Sequence, residues 1–285
     1  MPKLSIVLPA RNEAPGLQTI LPELRRRFAD AEILVVDDGS EDGTAKVAAE
    51  AGARVLSLPY SMGNGAAVKA GARAAQGEIL VFMDADGQHS PEDVQRLLDA
   101  LGNGNVEMVV GARDNASHPG APRLIANAFY NRLASWITGH RILDLTSGFR
   151  AVYADKFREF LHLLPNGFSY PTTITMSFLR AGYPVVYVPI RAAGRIGKSH
   201  IRPLRDGVRF LLIIFRIGTL YSPLKIFFPF SALLFTGGAA NYAHTYLTEG
   251  RFTNMSALLF LGSLMVFLVG LVSEQVTALM YQRRS

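Results

Sequence analysis

The sequence predicts an α/β protein: a mostly parallel sheet with helices on both faces, followed by an interfacial amphipathic helix and a two-helix transmembrane hairpin. Three observations carry this reading. Short apolar runs alternate with helical patterns through the first 200 residues, two long apolar stretches lie near the C-terminus, and the excess basic residues sit beside those stretches. The chain has 285 residues, 49% of them hydrophobic and 18% charged, with mean hydropathy +0.19. That is too apolar for a wholly water-soluble domain and excludes a disordered chain. With no cysteine, disulfide frameworks, thiolate metal sites and cysteine nucleophiles are excluded too.

The first strand is LSIVLP, followed by a helix from about Gly16. EILVVDD then leads to a helix from about Asp42, and ARVLSL to one from Gly65. EILVFMDAD precedes a helix after Ser90-Pro91, and EMVVGAR is a fifth strand. This βαβ rhythm implies a parallel sheet covered on both faces, with ligands at the carboxyl ends of its strands. The polar clusters fall at those ends: Asn12-Glu13, Asp37-Asp38, Asp84-Ala85-Asp86 and Arg113.

From residue 202 onward, Arg202, Arg209 and Arg216 recur every seven residues and stay on one helical face opposite Val208, Leu211, Leu212 and Phe215. Such a helix lies at headgroup level in a membrane interface. Two apolar spans follow, at about 226–243 and 255–273, each close to the ~20 residues that cross a bilayer. The expected organisation is a globular domain over 1–200, a juxtamembrane helix region over 201–223 and a transmembrane hairpin over 224–285. Residues 201–285 hold eight Lys and Arg against three acids, which leaves 21 against 20 before them. The globular part is therefore nearly neutral, which argues against nucleic-acid binding and for contact with anionic lipid. Basic residues precede the first span and follow the second (Arg283, Arg284), so the positive-inside rule places the globular domain and both termini in the cytoplasm of an integral membrane protein. The opening MPKLSIVLPA reads as a strand rather than a signal peptide.

Asp84 and Asp86 present hard oxygen ligands where a strand ends, which suits Mg2+ or Mn2+ when a diphosphate completes the coordination. The plainer alternative is a turn capping the next helix, but Ser90, Pro91, Glu92 and Asp93 supply that cap by themselves. Asp38 could accept hydrogen bonds from a ribose or base. Gly63-Asn64-Gly65 with Lys69 gives a modest phosphate-site signal at a helix start, without P-loop spacing. His89 is expected behind the carboxylates or facing solvent, Trp136 in a core or interface, and Glu274 in snorkelling or an oligomer contact.

These motifs coincide with a known pattern. VLPARNE, VVDDGSEDGT, GNGAAVKAG, MDADGQH, LTSGFRAV and GRIGKS stand in the order and spacing of family 2 GT-A glycosyltransferases. The chain resembles their polyprenyl-phosphate branch over residues 1 to about 222. The resemblance implies that Pro9, Ala10, Glu13 and Asp38 hold the donor nucleoside, and that Asp84, Ala85, Asp86 and Gln88 hold the metal and diphosphate. It further implies that Arg113, Arg123, Arg150, Arg195 and Ser199 contact donor and acceptor phosphates, with Asp86, Arg113, Arg123 and Arg195 closest to the chemistry. The implied reaction moves one sugar, with inversion, from a nucleotide diphosphate sugar to a membrane polyprenyl phosphate. Arg11 stands where relatives commonly have an aromatic residue, and Thr173 near a common acidic position, so donor identity is open. The rivals are transfer to another lipid acceptor of diacylglycerol type and a catalytically silent nucleotide-sugar scaffold. Small residues in the first span, among them Gly237 and Gly238, permit the close helix packing of a homo-oligomer.

Overall fold

The computed structural model describes residues 3–113, 121–167, 169–191 and 203–282, with backbone alone along 121–126, 203–210, 221 and 280–282. The chain forms two compact units. The first holds a seven-stranded sheet of order β3-β2-β1-β4-β6-β5-β7. Its strands are β1 (Leu4–Ala10), β2 (Glu32–Asp37), β3 (Arg54–Ser57), β4 (Ile79–Phe82), β5 (Met108–Arg113), β6 (Arg150–Tyr153) and β7 (Val185–Ile190). All pairings are parallel except those of β6 with β4 and β5.

The parallel strands are continuous apolar runs because both faces are covered. On one face, Ile6, Leu8, Ile33, Val35 and Val81 pack with α1 (Ala14–Arg27), α2 (Thr44–Glu50) and α4 (Pro91–Gly102). On the other, Val7, Leu34, Val36, Leu80 and Phe82 pack with α3 (Asn64–Ala74), α6 (Ala154–Glu159) and α7 (Tyr170–Arg180). Alternate residues of one strand thus feed two cores. As expected from sequence, α4 starts at a Ser90 N-cap that accepts from the Glu92 amide, with Pro91 at its first position and Glu92 and Asp93 in its first turn.

The chain reverses direction across the sheet between β1 and β4, since β2 and β3 lie on one side of β1 and β4 on the other. That crevice is where open α/β sheets bind ligands. It is tightly built. A Cβ on Gly16, in the first turn of α1, would sit 2.2 Å from the Ala85 carbonyl oxygen, so only glycine lets α1 approach the loop after β4.

The second unit comprises Ala134–Gly139 and Ile214–Ser285. It contains the end of α5 (Ala121–Thr138), the end of α8 (Pro203–Tyr221), and α9 (Pro223–Glu249) and α10 (Asn254–Gln282). The last two are long and apolar enough to cross a membrane. They are mostly exposed, with Phe228, Phe230, Leu233, Leu261 and Met265 uncovered, as expected of surfaces that face lipid. They pair through Ser231 and Ser263, each hydroxyl donating to the other's backbone carbonyl at 2.9 Å. Gly238 and Gly270 admit Phe260 and Phe227. Glu274 differs from the sequence reading, because its carboxylate accepts from the Leu224 amide at 3.2 Å and closes the first turn of α9. Trp136 is half exposed rather than a core residue.

A Cβ on Gly65 would lie 2.0 Å from the Pro165 carbonyl oxygen, a collision between backbones that no rotamer relieves. Gly65→Ala should therefore cost about 1–3 kcal/mol without changing secondary structure, as read by urea unfolding of the detergent-solubilised protein with circular dichroism.

Candidate active site

Four loops meet at the carboxyl edge of β1, β2, β3 and β4. The first is the turn between β1 and α1, where Asn12 adopts a left-handed backbone (φ 54°). Its amide donates to Ser40 Oγ at 2.9 Å, and its Oδ1 accepts from the Glu41 amide at 2.8 Å. The Glu13 amide donates to Thr44 Oγ1 and the Ala14 amide to Asp42 Oδ2. The open amides at the start of α1 are thus satisfied by side chains of the loop after β2. Burial acts to raise the Asp42 pKa, but bonds from Thr44 and Ala14 outweigh it and leave the carboxyl below its ordinary value.

Asp37 Oδ1 accepts from the Ser40 amide at 3.0 Å, and Asp38 turns to the third loop. Its Oδ1 accepts from the Met62 amide at 2.6 Å, and its Oδ2 from Gly63 N at 2.9 Å and Ser61 Oγ at 3.0 Å. Asp38 is therefore an organiser of residues 61–63, with Tyr60 exposed just before them. Pro9 and Ala10 are buried in β1, and the Ala10 carbonyl accepts from the Asp38 amide.

The phosphate-site signal at Gly63–Lys69 is not borne out. The Gly65 and Ala66 amides donate to the Gly167 and Asn166 carbonyls. Lys69 Nζ donates to the Leu164 carbonyl at 3.0 Å and Asn166 Oδ1 at 2.5 Å. The start of α3 is filled by the chain's own loop, and burial, aided by Arg73, lowers the Lys69 pKa.

Past β4, Asp84 is partly exposed and Asp86 buried. Asp86 Oδ1 accepts from the Gln88 amide at 3.1 Å. Gly148 lies against Asp84, and a Cβ there would be 3.3 Å from both carboxylate oxygens and from the Tyr170 hydroxyl. That hydroxyl donates to the Gly148 carbonyl at 2.8 Å. Position 148 thus places no side chain against Asp84, whose carboxylate side chain is 38% exposed. Among the described residues, no three His, Cys, Asp or Glu side chains gather as a self-sufficient metal site. A cation at Asp84 and Asp86 would therefore complete its shell from water and ligand phosphates, which suits a hard divalent ion.

Arg113 ends β5 and forms a bidentate pair with Asp144, at 2.8 Å from Nε and 3.0 Å from Nη2, with a further bond to Thr146. Burial pulls the Arg113 pKa down, but Asp144, with the charges of Asp84 and Asp86, leaves it raised. Asp144 in turn is held below its ordinary value, since Arg113 and the Thr146 amide overcome its burial. Asp144 also accepts from the amides of Thr146 and Ser147, an Asx turn that sets the entry to β6. Sequence reading missed it; the only local signal was an Asp two residues before Thr146-Ser147-Gly148.

Arg150 does not reach the open edge. It is fully buried, its guanidinium donating to the Ser147 carbonyl, Thr175 Oγ1 at 3.3 Å and the Pro171 carbonyl at 3.4 Å, and it lies 5.4 Å from the Tyr170 ring centroid. Burial lowers its pKa, only partly offset by Tyr170, Tyr187, Asp144 and Asp84. The structure therefore corrects direct contact with an acceptor phosphate to an internal role. Thr173 is buried in the first turn of α7. Arg195 and Ser199 lie outside the described residues, as does the side chain of Arg123, whose backbone belongs to α5.

A parallel nucleotide-type sheet, an antiparallel β6 and a carboxylate pair at the switch point define a glycosyltransferase of the GT-A fold. The chain belongs to glycosyl transferase family 2, whose domain matches residues 5–161, and residues 222–279 match the GtrB C-terminal hairpin. It is 31% identical over 228 residues to glycosyltransferase AglJ of Haloferax volcanii, covering 78% of this chain and 74% of that protein. It is 32% identical over 211 residues to the undecaprenyl-phosphate mannosyltransferase of Micrococcus luteus, covering 68% and 85%. Among solved structures it resembles glucosyl-3-phosphoglycerate synthase from Mycobacterium tuberculosis in complex with Mn2+, UDP and phosphoglyceric acid. That likeness has a TM-score of 0.61 at 23% identity, over 76% of this chain and 78% of that one, and it bears on the fold alone.

A carboxyl whose pKa is lower folded than unfolded contributes stability that is complete above the unfolded value, about 4, and lost as pH falls through the folded value. Asp144→Asn should cost about 3 kcal/mol at pH 7 and flatten the acid limb, so that the gap between wild type and variant, full above about pH 4, narrows progressively as pH falls below it. Thermal melts between pH 2 and 7 check this.

Proposed function

We propose that the protein is an inverting glycosyltransferase that moves one hexose from a UDP- or GDP-sugar to a membrane polyprenyl phosphate. The observation that carries it is the carboxylate pair at the sheet's switch point, with no side chain at position 148 beside Asp84. The acceptor class is supported by relatives named for undecaprenyl, polyprenol and dolichyl phosphate and by the GtrB-type hairpin.

Asp84, Asp86 and Gln88 would hold Mg2+ or Mn2+. When bound, that ion neutralises the donor diphosphate as the nucleotide leaves. Pro9, Ala10 and Glu13 border the nucleoside, and Asp38 serves it by fixing residues 61–63. The acceptor phosphate is an anion at neutral pH, so its oxygen attacks without a general base. Arg123, Arg195 and Ser199 are assigned to that phosphate and orient it toward the anomeric carbon. Arg113 contributes field rather than a free fork, since Asp144 occupies Nε and Nη2. Arg150 supports the site from below. The reading keeps the catalytic domain at 1–200, the juxtamembrane region at 201–223 and the hairpin at 224–285. Both termini are placed in the cytoplasm, the distal loop's Arg251 being paired with Glu249 at 2.6 Å.

Purified protein in detergent, given labelled UDP- and GDP-sugars, polyprenyl phosphate and Mn2+, should move label into the organic phase from one donor, and chelator should stop it. Asp86→Ala should reduce transfer about a hundredfold or more; near wild-type activity would refute the assignment. Transfer to diacylglycerol alone, or nucleotide binding without transfer to any acceptor, would favour the other-lipid or silent-scaffold reading. Gly148→Ala, which puts a methyl group against Asp84, should weaken donor binding about tenfold with little loss of stability, as measured by calorimetric titration of UDP or GDP with Mn2+.

A further inference from the structure

His89 is a buried imidazole that the proposed reaction does not use. It follows the carboxylate loop yet is only 6% exposed. Its ring lies flat on Phe149, with centroids 4.7 Å apart and planes 14° apart. Its Nε2 faces Asp84 Oδ2 at 3.7 Å, and among the described residues its Nδ1 has no hydrogen-bond partner. Phe149 is itself immobilised. It is fully buried, its carbonyl accepts from the Gly111 amide at 2.9 Å, and a Cβ on Gly111 would come within 2.7 Å of its ring. A glycine in β5 thus seats Phe149, Phe149 seats His89, and His89 presents one ring edge to Asp84.

With Nδ1 unpartnered, proton placement follows from Asp84. A hydrogen on Nε2 points at the carboxylate, whereas a lone pair there would face negative charge. The separation is longer than a hydrogen bond, so the contact is electrostatic. A Cβ on Gly148 would lie 3.3 Å from both oxygens of the same carboxylate. Asp84 therefore has the imidazole edge facing one oxygen and no side chain from position 148 against either.

We propose that His89 is a positioning residue that orients the Asp84 carboxylate toward a divalent cation and the donor diphosphate, with Phe149 as its platform. The inference rests on the function proposed above and deepens it. Outer partners of ligating side chains typically govern metal affinity by 10–100-fold.

The test reads binding without turnover. Full-length protein in detergent is titrated with Mn2+ in the presence of UDP and, separately, GDP, with free Mn2+ followed by electron paramagnetic resonance. His89→Phe keeps a ring for the Phe149 stack and removes both nitrogens; Mn2+ affinity should fall about tenfold, with the metal-free melting temperature unchanged. His89→Gln, which restores a donor, should recover part of the loss. Phe149→Leu, which frees the imidazole without altering it, should weaken Mn2+ binding in the same direction, and it decides the matter if His89→Phe fails to fold. Wild-type affinity in His89→Phe, or in Phe149→Leu where that is the folded variant, overturns the role of His89 alone. Absence of Mn2+ binding by the wild-type protein with both nucleotides overturns the metal-dependent reading and this inference with it.

Discussion

The antiparallel placement of β6 between β4 and β5 is the constraint on which the site depends. In a wholly parallel sheet the segment entering that strand would lie at the opposite edge from Asp84 and Asp86. Because β6 runs the other way, with Phe82 opposite Arg150, its entry, residues 147–149, arrives beside the end of β4. That single reversal brings Gly148 to Asp84, Phe149 beneath His89 and the Asp144 turn to Arg113. The side chains of β5 and β6 then act on a carboxylate pair carried by β4.

The cations in this unit divide by partner. Arg113 is tied to Asp144 while sharing the field of Asp84 and Asp86, so it lowers the electrostatic cost of placing two carboxylates close together. Among the described residues, Arg150 is buried without a carboxylate in contact and relies on carbonyls, a hydroxyl and an aromatic face. Burying a guanidinium in this way costs several kcal/mol before compensation, and its return is the fixed geometry of residues 147–150 and the first turn of α7. Lys69 is spent on residues 164–166. Arg113, Arg150 and Lys69 therefore each have their bonds taken up within the chain.

What the sequence made legible was what local pattern controls. Five apolar runs, the helices after the first four, the Ser90 cap and the carboxylate pair at a strand end were readable because periodicity and capping are short-range. β6 was not, since four residues, Arg-Ala-Val-Tyr, carry too little pattern to reveal a strand or its direction. Nor was the fate of Asp38 and Lys69 readable. An acid after a strand and a lysine in a helix's second turn look available for ligand, and only the fold shows that residues 61–63 and 164–167 take their hydrogen bonds. Polar groups find partners through long-range contacts, so residue type and spacing overstate how many remain for substrate.

The same argument applies to the hairpin in reverse. Its hydrophobicity was obvious, yet what joins α9 to α10 is polar: reciprocal Ser231 and Ser263 bonds, and Asn241 accepting from both Thr253 and Ser256 near the loop. In hydrocarbon, apolar contact gives helices little reason to prefer one another over lipid, whereas small side chains and hydroxyl bonds do. Glu274 belongs to this group, because its carboxylate closes the start of α9 from the far end of α10. Pairing of the two helices is thereby set at three levels along their length, while Phe228, Phe230, Leu233, Leu261 and Met265 are left outward.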